Sequence, residues 1–214
     1  MRLRLIVSLL ATVAFAGAAS AASLSGMGAN LYGNYFHFGK PNLSKPMVRS
    51  MTVGSVRIDL QHTKLSQIKA AFGGTIMSQG SEESLARWLC YHDEGKAGAT
   101  DTWFITNTLG GGEFVMIVAV QASTAGRVPA DCGAAPAKFS PPNMGIPGVG
   151  ASLADLKGAF GAASGSTITY RADEPGADAL GTANNAQYIA YMLSGGRVVG
   201  YGAGETSVPV ANKS

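Results

Sequence analysis

Three histidines, two cysteines and two Asp-Glu pairs are the residues of this 214-residue chain best suited to chemistry. His37, His62 and His92 show neither the H-x-x-x-H nor the H-E-x-x-H spacing that brings two imidazoles to one face of a helix for zinc. His92-Asp93-Glu94 is the densest polar cluster, and Arg171-Ala172-Asp173-Glu174 is its later counterpart. Paired carboxylates can act as general acid and base when folding sets them a few ångströms apart, so Asp93/Glu94 and Asp173/Glu174 stay open as a hydrolase site. Because the Asp-Glu pair recurs at matching places, a strand-end role accounts for it without catalysis. No G-x-S-x-G elbow occurs, and Gly148-Val149-Gly150-Ala151-Ser152 places its serine at a helix start. Gly110-Gly111-Gly112 is followed by Glu113 and a β-branched run rather than by Lys-Ser/Thr and a helix, which makes it a hairpin turn and not a phosphate loop. The residues therefore predict no catalytic group, no metal and no cofactor.

Cys90 and Cys132 are the only cysteines, and we read them as one disulfide. It would close a loop of about 41 residues, worth ~4 kcal/mol on a chain-entropy basis. The alternative is a pair of thiols, but no C-x-x-C spacing supports a redox role. An oxidising compartment agrees with the start of the chain. Arg2 and Arg4 form a basic n-region, residues 5–16 are apolar, and Ala19-Ser20-Ala21 fits a cleavage site before Ala22. Residues 1–21 thus predict a secretory signal peptide, and the protein is expected in the periplasm or secreted. No Cys stands at the cut site for lipid attachment. Apart from this start, no stretch approaches the roughly 20 apolar residues of a membrane span.

The net charge of +3 is too small to suggest a nucleic-acid binder, and it falls to +1 without Arg2 and Arg4. Only 14% of residues are charged, against roughly 25% in average soluble proteins.

The elements that would position these residues follow from an internal repeat. Leu65, Ile68, Phe72 and Gly73 recur 88 residues later as Leu153, Leu156, Phe160 and Gly161. Phe104-Ile105 and Gly111-Gly112 recur 84 residues later as Tyr188-Ile189 and Gly195-Gly196. Each apolar i, i+3, i+7 set predicts a short amphipathic helix closed by a C-terminal glycine, the second capped by Ser152 with Asp155. Strands are expected over 86–92, 102–108 and 114–121, and over 167–172, 187–193 and 197–203, with glycine hairpins joining the last two of each set.

The fold class is therefore α+β, with two tandem modules, each a short helix packed on a small antiparallel sheet. Residues 53–124 form the first module and 146–210 the second. Residues 125–145, with Pro129, Pro136, Pro141 and Pro142, read as a linker that the disulfide ties to the first module. Residues 22–52 precede the modules as an arm, aromatic over 31–38.

Aromatic side chains fall on the expected strands. Trp88, Phe104 and Tyr188 read as core. Trp103, Tyr91, Tyr170, Tyr191 and Tyr201 become partner-binding candidates, because alternation turns some of them to a face that no helix covers.

The repeated helix-then-glycine segment at 63–73 with the strand 88–91, and at 152–161 with 168–170, resembles the modules of the β-lactamase-inhibitory-protein-like superfamily. It is also similar to the SmpA/OmlA-type outer-membrane assembly lipoproteins. The resemblance implies short helices on an antiparallel sheet, tandem copies sharing a concave face, and no catalytic residues. The expected function is an exported, non-enzymatic protein-binding module, inhibitor- or immunity-like, acting on a protein partner through an exposed sheet face. The alternative implied by the lipoproteins is an assembly factor of the cell envelope.

Overall fold

Apolar residues at helical spacing turn one stripe of each expected helix to the core, buried at Leu65, Ile68 and Phe72 in the first and at Leu156 in the second. A computed structural model describes residues 22–34, 39–178 and 181–209. The signal-peptide segment 1–21, His37 and the aromatic stretch 35–38 lie outside those residues.

The chain runs as α1 (Gly26–Gly33), β1 (Met51–Val53), β2 (Val56–Ile58), α2 (Leu65–Phe72), β3 (Met77–Gln79), β4 (Ala86–Gly95), β5 (Gly98–Asn107), β6 (Ile117–Ala122) and β7 (Gly133–Ala134). It continues with α3 (Leu153–Phe160), β8 (Thr167–Asp178), β9 (Gly181–Ser194) and β10 (Arg197–Pro209). In α2, Leu65, Ile68 and Phe72 are buried, and Gln67 Oε1 accepts the Lys64 N–H at 2.8 Å. The Ser152–Asp155 box at α3 forms as expected: Asp155 N–H donates to Ser152 Oγ at 3.2 Å, and Ser152 N–H to Asp155 Oδ2 at 2.7 Å. Gly195 and Gly196, at φ 57° and 73°, make the two-residue turn between β9 and β10, a geometry that matches strand twist and excludes most side chains.

Helices pack on a largely antiparallel sheet, so the class is α+β with sheet predominating. The strands do not form two small sheets, however. Apart from the β1–β2 hairpin, which stands as a two-stranded sheet of its own, they form one of eight strands, in the order β3-β4-β5-β6-β10-β9-β8, with β7 added parallel to β4. The last strands of the two helix-and-meander halves pair with each other, Gly200 opposite Gln121 through Gly204 opposite Ile117. Joining β6 to β10 consumes two edges that would otherwise present unpaired backbone groups. At the far edge, Asn42 and Leu43 N–H groups both donate to the Arg171 carbonyl at 2.9 Å, so residues 39–43 cover β8.

Both faces of the sheet carry packed layers. On one, α2 and α3 bury Leu65, Ile68 and Leu156 against Leu89, Phe104, Val118 and Ile189. On the other, α1 lays Met27 and Leu31 over Trp103, Ile117, Ala119 and Ala190, across the β6–β10 seam. The seat for α1 is made of missing side chains. A Cβ on Gly202 would collide with Leu31, and one on Gly28 would lie 2.8 Å from the Trp103 ring. Residues 125–145 are not a loose tether: Asp131, Phe139 and Met144 are all buried. Among the described residues, no helix is long and apolar enough to cross a membrane.

Candidate functional site

The five aromatic candidates are not on a free surface. Trp103, Tyr91, Tyr170, Tyr191 and Tyr201 are each no more than 5% exposed, which corrects the expectation of an open aromatic face. Alternation does separate them, Trp103 to the α1 side and the four tyrosines to the α2/α3 side, but each side is covered. Their polar tips serve the fold instead. Tyr91 donates to the Gly73 carbonyl at 2.8 Å and Tyr170 to Ala162 at 2.6 Å, each tying a strand to the backbone just past a helix. Trp103 Nε1 donates to Asp131 Oδ2 at 2.9 Å, and the same carboxylate accepts from Ser25 at the start of α1. Burial pushes the Tyr91 and Tyr201 hydroxyls up to about 12, and raises Tyr191 further.

The Asp-Glu pairs diverge, because consecutive strand residues point to opposite faces. Glu94 accepts the Gly126 N–H at 2.6 Å, whereas Asp93 lines a cleft on the other face. Glu174 binds Arg49 through both oxygens, at 2.6 and 2.7 Å, and Asp173 binds Arg171. Neither pair converges on a common point.

His92 is the chemically richest neighbour of these groups. Its Nδ1 lies 2.7 Å from Asp101 Oδ1, with both residues buried, and its Nε2 lies 3.4 Å from Glu94 Oε1. Burial pulls the imidazole pKa down, but Asp101 and then Glu94 outweigh it, so the net shift is upward. The backbone carbonyl of His92 accepts from Ala135 at 2.8 Å, and the Cys90–Cys132 disulfide lies two residues back along β4. This cluster fastens residues 123–135 to the sheet. Among the described residues, no group of three or more His, Cys, Asp and Glu side chains could hold a metal ion.

What the arrangement leaves open is a cleft of about 720 Å³ on the α2/α3 side of the sheet. Its floor is Thr100, Val120 and Tyr201, contributed by β5, β6 and β10, so it spans the seam between the two halves. Its roof is Phe139, Pro141 and Val149. Phe139 is held by edge packing on Phe72 and a closer contact with Tyr91, at centroid distances of 5.3 and 4.9 Å. Paired bonds between Thr52 and Asn143, at 3.3 and 2.9 Å, fix the same segment to β1. Val149 is 38% exposed, an apolar side chain left in water at the cleft's lip. A second cleft, of about 410 Å³, is polar and bounded by Arg49, Asp59, His62 and Glu205. Its charges are already engaged, Arg49 with Glu174, Asp59 with Arg57, and Glu205 with Gln61 at 3.1 Å. Burial raises the Glu205 carboxyl.

Sequence reasoning singled out Asp93 but passed over Thr100, Val120 and Phe139, which become neighbours only when the Pro-rich segment folds back. By geometry the site belongs to the class of apolar, partly open ligand clefts on a sheet scaffold, with a volume inside the roughly 300–1,000 Å³ of small-molecule sites. Comparison with protein-family models, curated proteins and solved structures finds no match to this chain.

Proposed function

We propose that this is an exported, non-enzymatic binding protein that holds a small ligand in the cleft over the β6–β10 seam. The observation that carries this reading is the cleft itself: apolar walls from both halves of the chain, a roof hydrogen-bonded in place, and an exposed valine at its lip. Two copies of one helix-and-meander module, joined by pairing of their last strands, supply the floor. The Cys90–Cys132 disulfide and the basic-apolar-small pattern of residues 1–21 support export. The binding surface moves from the sheet aromatics, which are buried, to the space above them.

The test is ligand-linked stability, since a molecule that binds only the native state raises the melting temperature. The small-molecule fraction of a cell extract is expected to stabilise the oxidised protein and not Val149→Trp, whose ring blocks the lip. If no fraction stabilises the native protein, or the variant gains equally, the cleft is not a binding site.

A further inference from the structure

Two polar groups in the cleft lack partners. Thr100 Oγ1 is a buried hydroxyl oxygen with no hydrogen bond. Asp93 stands opposite Thr100 in the β4–β5 pair, half-buried, and forms no hydrogen bond or ion pair among the described residues. The one other charged group on the cleft is Lys96, at the exposed tip of the β4–β5 turn, and it forms no ion pair among the described residues. Tyr201, on the floor, spends its hydroxyl on the Pro142 carbonyl at 3.2 Å.

Filling such a cleft removes water from Asp93, and a carboxylate that loses its water needs a counter-charge or donors in exchange. An anionic ligand, or an uncharged one without donors, leaves that requirement unmet, whereas an ammonium group meets it with both charge and donors. Resting on the cleft reading above, we infer that the ligand carries a protonated primary amine on an apolar body. Its ammonium group donates to the Asp93 carboxylate and, as the Thr100 side chain turns its enclosed Oγ1 toward the cleft, to that hydroxyl, and keeps its third donor for water at the open side. The apolar body lies against Val120, the Tyr201 ring and Val149. Lys96, at the rim, stays in water and sets no competing anion site within the walls.

Three probes of one shape test this: 2-phenylethylamine, 2-phenylethanol and 3-phenylpropionate, titrated at neutral pH into the ¹⁵N-labelled, oxidised protein and followed by NMR. The amine is expected to shift the Thr100, Val120 and Phe139 amides and to bind about tenfold or more tighter than the alcohol, as a charge-assisted hydrogen bond implies. Asp93→Asn removes that advantage by weakening the amine more than the alcohol, and Thr100→Val weakens the amine about threefold. Far-UV circular dichroism checks that both variants fold; Asp93 has no partner to lose. If the alcohol or the carboxylate binds as well as the amine, or Asp93→Asn leaves the preference intact, the amine inference is overturned while the cleft stands. If none of the three probes moves the cleft amides, the cleft reading fails together with the inference.

Discussion

Tyr191 lies fully buried between Tyr170, Phe160 and Tyr201, and its hydroxyl has no protein partner. An unmet buried hydroxyl costs free energy that an apolar group of the same shape does not. Tyr191→Phe is therefore expected to raise stability by about 1 kcal/mol in urea unfolding, a gain that an ordered water on the hydroxyl would turn into a loss. His92 gives a second residue-scale expectation. Its folded pKa is raised, so its pairing with Asp101 contributes fully below its unfolded pKa of about 6.5 and fades as pH rises through the folded value. Glu94 works in the other direction. The Gly126 N–H and then His92 lower its pKa, so its contribution is present above about 4.5 and is lost as pH falls through the folded value. The latch on residues 123–135 is thus strongest between those limits. The urea midpoint of the native protein should fall as pH rises above about 6.5, and His92→Gln should flatten that slope. A native slope no steeper than the variant's would mean the imidazole draws no stability from Asp101. The Cys90–Cys132 pairing was legible from the cysteine count alone, but the buried Asp101 partner of His92 was not. Only antiparallel register sets those two residues opposite each other.

At the scale of elements, α2 and α3 are readable because the apolar spacing, the capping residues and the closing glycines agree with one another. The helix α1 is not readable. Gly26-Met27-Gly28-Ala29-Asn30-Leu31 offers only Met27 and Leu31 as an apolar stripe, and its glycines argue against a helix in isolation. Packing overrides propensity here: the small residues that weaken α1 allow it to lie directly on Trp103 and on the glycines of β10. Strands β8, β9 and β10 outrun their expected ends for a related reason. Pro175, Asn184 and Asn185 read as loop, yet continuous pairing from Thr167 opposite Met192 to Asp178 opposite Gly181 holds them extended. Gly28→Ala tests the α1 seat, since its methyl group would lie 2.8 Å from the Trp103 ring. Overpacking of this kind costs about 1–3 kcal/mol. Amide exchange over residues 26–33 should accelerate and Trp103 emission should shift to the red, with the β4–β5 amides keeping their protection. Unchanged exchange in α1 would show that the helix is held by its hydrogen bonds, Ser25 to Asp131, Met27 to Gln121 and Tyr32 to the Ser84 carbonyl.

For the whole molecule, the decisive contact is the one a local reading of sequence cannot supply. Each helix-and-meander half is written in its own apolar periods, but nothing within 117–122 or 197–209 specifies that these segments pair with each other. That choice is made by the two open edges they would otherwise leave, and by α1 lying over the joint. The cleft exists because of that choice, since its floor combines Thr100 and Val120 from one half with Tyr201 from the other. The seam also makes a prediction about cooperativity. The core on the α2/α3 side is continuous, running from Leu65 and Ile68 through Val118 and Tyr201 to Leu156 and Ile189. Two halves that share a core and a backbone ladder should unfold together. Leu156→Ala removes a fully buried side chain from the second half only, at a cost of about 2–5 kcal/mol. Chemical unfolding of this variant should remain a single transition, and the amides of β4 and β5 should lose as much protection as those of β8 and β9. Two transitions, or a loss of protection confined to residues 153–209, would make the halves independent units, with the β6–β10 ladder as a docking contact between them. The cleft floor would then come apart at the seam when either half opens.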